Sequence, residues 1–423
     1  MKAQAKIRLH KFCMAFMISN SKMIKFLLLV FIGVLFNNCQ ENQRVTTNKI
    51  YNVSSQDQHA SAAYLTQNHN GVPVLVWTAY YTDKKNSVQY FSIFNEETDS
   101  FGKPVEIPTS RGTTPHAESM NKVAWKSDGT IVSVFEKKHP HKANQWAGSI
   151  MYSTSVDEGT TWTPPTPIHT DTSSQYSRSF FDVATLPNGE VGVIWLDGRH
   201  GKGHMSGSTL YLSHTTDSHK FITEREIIRG TCECCRTVLH VSDEGIVNVL
   251  FRNIFDESIR DMALLRSNDN GKTFPNEAIH VHDDNWVIDA CPHTGPTMGT
   301  NNGVSSIAWV TGGSTKGLLY TTIDSTDVIQ KPILISSTGK NPQVDVSETG
   351  ITGLVWVEQF DSSGVLHFQL RDGISKKTQI EFGFEQVPNA AYPVVLSHNS
   401  SWVVAWTQKL ESNSAVKYTI IKT

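Results

Sequence analysis

Neither sign of charge is in excess in this sequence: 37 lysines and arginines face 40 aspartates and glutamates in 423 residues, a formal net charge of −3. No arginine-rich or lysine-rich block occurs beyond the N-terminus. The electrostatic footprint of a nucleic-acid binder is therefore missing, and nucleic acid is not expected as a partner. A long apolar run is missing too. FLLLVFIGVLF, residues 26–36, falls short of the roughly 20 residues that a membrane-spanning helix needs. Cysteine is scarce, six in all, yet three of the six fall within GTCECCRTVLH at 230–240.

Lys22 and Lys25 precede the apolar run and NNC follows it, the charged-then-apolar order of an export signal. The layout resembles a bacterial lipoprotein signal, with Cys39 as the acylated first residue of the mature chain. Asn38 stands where that family usually has Gly, Ala or Ser, and plain signal cleavage stays open beside lipidation. The resemblance implies a signal segment at 1–39, a linker at 40–47 and a folded part at 48–423. It also implies export and a lipid anchor in the bacterial cell envelope, in the periplasm or at the cell surface.

Seven short apolar runs end in an aromatic, at Trp77, Phe135, Trp195, Phe251, Trp309, Trp356 and Trp406, with spacings of 58, 60, 56, 58, 47 and 50. Most follow a turn signal such as SDG, PNG, DEG or NNG, which reads as strand, tight turn, strand. A third strand follows each aromatic and, in all units but the last, a fourth, so the unit is a four-stranded antiparallel sheet. Seven units predict an all-β, seven-bladed propeller. AVKYTIIKT at the C-terminus has no fourth strand after it, and NKIYNVSSQ at 48–56 precedes the first unit. The N-terminal strand is thus expected to complete the last blade and remove the open edges. A six-bladed ring with a separate small β domain is the alternative.

SVDEGTTW at 155–162 and SNDNGKTF at 267–274 share S-x-D-x-G-x-T-aromatic, each between the third and fourth strands of its blade. Asp157 and Asp269 can accept from turn amides, Gly159 and Gly271 permit positive φ, and Trp162 and Phe274 can pack between sheets. TTDSHKF at 215–221 is a weaker echo. The pattern and its blade position resemble the Asp-box repeats of the sialidase superfamily of propellers. That resemblance implies exo-acting glycosidases that grip a sugar carboxylate with three arginines and use a Tyr/Glu nucleophile with an Asp acid/base. The Arg-Ile-Pro motif for the first arginine is absent from the first blade, and no Tyr/Glu pair is placed, so the catalytic residues are unassigned. CECCRT at 232–237 and CPHTGP at 291–296, with WLDGR at 195–199 and IRD at 259–261, resemble a sialidase-like branch that carries CxCC and C-P-x-x-G-P.

Starts of the innermost strands converge at one mouth of a propeller channel. They place His59, His116, Arg178, Cys235, Arg236, His293, Asn341 and Tyr392 around it. His116, Arg178, Asp197, Arg199, Arg252, Arg260, Asp261 and His293 are the candidates for contacting a carbohydrate or other small-molecule ligand, an acidic sugar above all. For Asp197 and Arg199 a structural ion pair is the competing role, and for the charged loop around Arg260 a solvated surface. Cys232, Cys234, Cys235 and Cys291 fit three readings: a disulfide stapling neighbouring blades, a soft-metal site for Cu or Zn, or a redox thiol.

Overall fold

The computed structural model describes residues 49–423 apart from 202–206, 257, 289, 291, 361–362 and 373–377. The expected signal and linker, with Cys39, and Cys291 lie outside the described residues. Apolar runs buried on both faces become strands, and seven antiparallel sheets follow one another along the chain. The first strands of blades 1 to 7 are His59–Gln67, Lys122–Trp125, Arg178–Thr185, Val238–Val241, Thr297–Asn301, Gly339–Val346 and Ala390–His398. Each touches the next, and that of blade 7 touches that of blade 1, so the ring closes.

The last blade is completed by Ile50–Asn52, which pairs with Ser414–Lys422. This is the expected closure, and it excludes the six-bladed alternative. One sheet departs from four strands: the outer edge of blade 1 is divided between Ser100–Phe101 and Val105–Ile107, both paired with Val88–Asn95. No helix among the described residues is long and apolar enough to cross a membrane.

Buried apolar side chains fall into seven clusters, one at each interface between neighbouring blades. Trp77, Trp195, Trp309, Trp356 and Trp406, the aromatics of the repeat, are among the largest fully buried side chains. Truncating one such residue to alanine costs about 3–5 kcal/mol, so each interface is a sizeable share of a stability of about 5–15 kcal/mol. The indole N–H of each needs an acceptor once dry. Residues two positions on supply it in three blades, Asp197 at 3.2 Å, Glu358 at 2.8 Å and Gln408 at 3.1 Å. Trp309 uses Asp284 at 2.6 Å. Blade 1 has Ala79 at the matching place, and Trp77 Nε1 is left without a partner.

The same aromatics mark where the first strand breaks. In blades 1, 3, 6 and 7 a bulge puts two residues opposite one tryptophan: Ala62–Ala63, Phe180–Phe181, Asn341–Pro342 and Tyr392–Pro393. The leading residue of each bulge is left-handed, with φ of 58°, 52°, 52° and 50°. In blades 2, 4 and 5 the first strand starts only after that place, at Lys122, Val238 and Thr297. A bulge re-aims side chains, here Phe180, Asn341 and Tyr392 at the strand starts.

The two Asp boxes are wired alike. Asp157 accepts from Thr161 N at 2.8 Å and Asp269 from Thr273 N at 2.9 Å, while Ser155 and Ser267 accept from Gly159 N and Gly271 N. Gly159 and Gly271 have φ of 86° and 72°. Trp162 packs on the interface of blades 1 and 2, and Phe274 on that of blades 3 and 4. In the weaker echo His219, φ 57°, takes a left-handed place without glycine. A further turn of this kind in blade 5 escaped the motif: Asp324 accepts from Val328 N at 3.0 Å, and Ile329 bridges Ile323. Its serine, glycine and aromatic are gone, so only the aspartate and its spacing remain as a signal.

Candidate functional site at the channel mouth

Of the strand starts expected at the mouth, Arg236, Asn341, His116, His293 and Tyr392 come together. Arg236, two residues before the first strand of blade 4, donates from Nη1 to Glu118 Oε2 at 3.0 Å, and Asn341 of blade 6 donates to Glu118 Oε1 at 2.9 Å. Arg236 also bonds the carbonyls of Gly295, Pro296 and Pro342 at 3.2–3.3 Å. One buried guanidinium therefore ties blades 4, 5 and 6 to the segment entering blade 2. Gly295 is needed for this, because a Cβ there would lie 2.3 Å from Arg236 O. Glu118 was not among the sequence candidates; an acid just ahead of a first strand, in PHAES, was the available signal.

Beside this pair lie rings. His116 packs edge-on against Phe180 at 5.4 Å and lies 6.3 Å from His293. Burial, then Lys138, His293 and Lys84, pull His116 down to about 4, so its imidazole is neutral at pH 7. Glu118 N donates to its Nδ1 at 3.3 Å. A cleft of about 510 Å³ opens between blades 5, 6 and 7, lined by Trp286, His293, Asn341, Tyr392, Lys340 and Lys409 among others. Tyr392 is raised by burial and then by Glu118, which keeps the phenol protonated.

A separate cavity of about 620 Å³ runs along the first strands and is the central channel. Lys122 stands in it, donating to Phe181 O at 2.8 Å with Asp182 at 3.8 Å. Burial pulls its ammonium down to about 8. Arg236 lines this channel, and Asn341, which lines the cleft, shares Glu118 with it.

The structure places Arg178, Asp197 and the partly buried Arg199 in one network of blade 3. Asp197 Oδ2 accepts from Arg178 Nε at 3.1 Å, Arg199 Nη2 at 2.7 Å and Trp195 Nε1 at 3.2 Å. Glu224 takes Arg199 Nη1 at 2.9 Å, and Asp171 lies 3.5 Å from Arg178. Arg178 and Asp197 are both 0% exposed.

Arg252, Arg260 and Asp261 are likewise buried, and they organise the loop leading into blade 5. Arg252 bonds the carbonyls of Arg260, Thr294 and Val310 and lies over Trp286. Arg260 bonds Ile288 O at 3.2 Å, and Asp261 accepts from Asn285 N and Trp286 N. Of the eight ligand candidates, the structure thus brings His116 and His293 together at the mouth and sets the other six within the frame behind it.

The cysteines occupy the interface of blades 3 and 4. Cys232, Cys234 and Cys235 are buried free thiols, with Cys232 Sγ 3.9 Å from Cys234 Sγ and 3.5 Å from Cys235 Sγ. All three sulfurs lie within 4.8 Å of one another, close enough to hold a metal ion. Cys232 is lowered, first by hydrogen bonds from Cys234 and Cys235 and then by a Cys234 amide and Arg252. Cys234 is raised by the same contacts, and Cys235 by burial. A disulfide to Cys291 falls outside the described residues.

The BNR repeat-like domain family matches residues 74–320, from the second strand of blade 1 through the third of blade 5. No curated protein matches significantly. Among solved structures, polysaccharide lyase Uly1 has a TM-score of 0.55 at 13% identity, over 91% of this chain and 94% of that one. A protein of unknown function from Dyadobacter fermentans DSM 18053 has a TM-score of 0.50 at 12% identity, over 88% and 99%. The Hadza microbial sialidase Hz136 has 0.48 at 11%, over 90% and 96%. At such identities the likeness is one of fold.

Proposed function

The chain belongs to the BNR repeat-like domain family, and we propose that it is an envelope-anchored propeller that binds acidic glycans at its channel mouth, with exo-glycosidase-like cleavage as the activity to assay. The observation that carries the reading is the cleft of about 510 Å³ between blades 5, 6 and 7. Its size falls within the range of small-molecule sites, roughly 300–1,000 Å³. Its lining mixes ring faces, on which a sugar can stack, with the Asn341 amide and the exposed Lys340 and Lys409.

Binding is the better supported half. Cleavage of the sialidase type needs a Tyr/Glu nucleophile and an Asp acid/base, and Glu118 at this mouth is already engaged by Arg236 and Asn341. A sugar carboxylate here meets ammonium groups rather than the arginine clamp of the superfamily, because Arg178, Arg199, Arg252 and Arg260 serve the frame. His116 and His293 face the same mouth and belong to the proposed contact set. Export and acylation at Cys39 are part of the proposal and rest on the resemblance of residues 22–39 to a lipoprotein signal.

The test is calorimetric titration and turnover assay with sialosides, uronic-acid oligosaccharides and neutral counterparts. Acidic ligands should bind in preference to neutral ones, and Tyr392→Ala and Lys409→Ala should each weaken binding about tenfold, a loss of about 1.4 kcal/mol. Equal binding of neutral and acidic sugars, or no binding of either, rejects the proposal. Cys39→Ala should move the protein from the membrane fraction to the soluble one.

A further inference from the structure

The thiol cluster of blade 4 is not part of the glycan reading, and its geometry fits a thiolate-bound metal ion. We infer that Cys232, Cys234 and Cys235 form a three-coordinate thiolate site for Cu(I). A metal–thiolate bond of about 2.3 Å, the value for zinc, sets three sulfurs around one ion about 4 Å apart. The observed separations are 3.5 and 3.9 Å, with none above 4.8 Å. A disulfide needs sulfurs about 2.05 Å apart, so the three stand at the spacing of shared coordination rather than of a bond.

The loop is built to hold this spacing. Cys232 N donates to Arg252 O at 2.9 Å, which fixes the loop on the end of the second strand. The Cys234 amide turns back onto the Cys232 sulfur, and Cys235 is followed directly by Arg236, which is held by Glu118 and three carbonyls. The three thiols belong to the buried apolar cluster between blades 3 and 4 that also holds Phe180, Leu196 and Phe251.

Donor type narrows the ion. Thiolates favour Cu(I) and Zn; structural zinc takes four ligands, and the described residues, which do not include Cys291, supply three. Charge agrees. Three thiolates around a monovalent ion carry two negative charges, and two buried guanidiniums face them. Arg252 acts on Cys232 and Cys235, and Arg260 contacts Cys232. Arg252 Nε is buried with no hydrogen-bond partner, a donor left over for an anionic sulfur. Glu233, 3.4 Å from Arg260, is the nearby acid and is partly solvated. On binding, the thiols release their protons to solvent and no electron is transferred.

The experiment uses the full chain purified anaerobically, with thiols counted, and titrated with Cu(I) against a competing Cu(I) chelator and with Zn(II) in parallel. One Cu(I) should be retained per chain, and X-ray absorption of the wild-type complex should show three sulfur neighbours. The thermal midpoint should rise on loading, since an ion that binds only the folded state stabilises it. Cys232→Ser, Cys234→Ser and Cys235→Ser should each lower Cu(I) affinity at least 100-fold, with near-UV circular dichroism confirming their fold. Tighter retention of Zn(II) than Cu(I), a four-sulfur shell, a disulfide within the trio, or unchanged affinity in a folded Cys234→Ser chain overturns the inference. None of these readouts depends on a glycan.

Discussion

Glu118 and Arg236 stand 118 positions apart in sequence, yet their carboxylate and guanidinium meet at 3.0 Å, both buried. The pair crosses the end of the channel. It joins the segment entering blade 2 to the segment entering blade 4, and through Asn341 to blade 6. A ring held only by neighbour-to-neighbour packing gains a transverse tie.

Breaking that tie should therefore be costly. Glu118→Ala leaves a buried guanidinium without its carboxylate, and removing one partner of a buried pair costs about 3–5 kcal/mol. Denaturant unfolding should show a loss of this size, whereas Glu118→Gln, which keeps an acceptor for Arg236 and Asn341, should lose less. Equal losses in the two variants would mean that charge adds nothing beyond the hydrogen bonds.

Asp197 carries a comparable load in blade 3, with two arginines and an indole on one carboxylate. Asp197→Ala should destabilise by about 3–5 kcal/mol by the same reasoning. The change in unfolding midpoint is the readout. A loss below about 1 kcal/mol would show that Glu224 and Asp171 suffice to hold Arg178 and Arg199.

Three histidines make stability depend on pH above the carboxylate range. Burial is the first cause that pulls His116, His169 and His240 down to about 4. In the unfolded chain they titrate near 6.5, so the unfolded state binds more protons as pH falls, and their contribution, full above 6.5, is lost toward 4. Each should remove about 1 kcal/mol between pH 7 and 5.5. Glu136, Asp182 and Asp345, which burial raises, act with the opposite sign. His240→Gln isolates one histidine: its stability deficit against wild type should shrink by about 1 kcal/mol over that interval. A deficit independent of pH would place His240 in water.

The N-terminal strand should act as the clasp of the ring. Ile50, Tyr51 and Asn52 pair with Thr419, Tyr418 and Lys417, and Tyr51 stacks on Tyr418 at 4.9 Å. Removing residues up to Ser54 leaves the strand Ser414–Lys422 as a bare edge, which invites pairing with other chains. A lower thermal midpoint and concentration-dependent association in light scattering are expected. A monomer of unchanged midpoint would show that the clasp is dispensable.

The seven blades were legible because each aromatic run is buried on both faces by its neighbours. That demand writes an apolar stretch and a turn signal into every repeat. The Asp boxes were legible where serine, glycine and aromatic all survive, at 155–162 and 267–274. The turn at Asp324 was not, because a backbone turn of that shape needs only the aspartate. The convergence of His116, His293, Asn341 and Tyr392 also followed from counting repeats. Register escaped such reading: the bulges opposite Trp77, Trp195, Trp356 and Trp406 are properties of strand pairing, and they aim Phe180, Asn341 and Tyr392.

The sequence by itself determined the repeat, the closure by the N-terminal strand and the grouping of three thiols in one turn, since these depend on local pattern and spacing. Tertiary structure decided which charges remain available. Arg178, Arg199, Arg252 and Arg260 read in sequence as ligand-binding groups, with an ion pair to Asp197 as the competing role for Arg199; the structure has that pair, and the folded ring brings Asp197, Glu224, Thr294 and Ile288 within about 3 Å of the four. Burying a guanidinium is costly unless it is paired and hydrogen-bonded; the frame's carboxylates and carbonyls engage these four, and histidine, tyrosine, asparagine and lysine line the mouth.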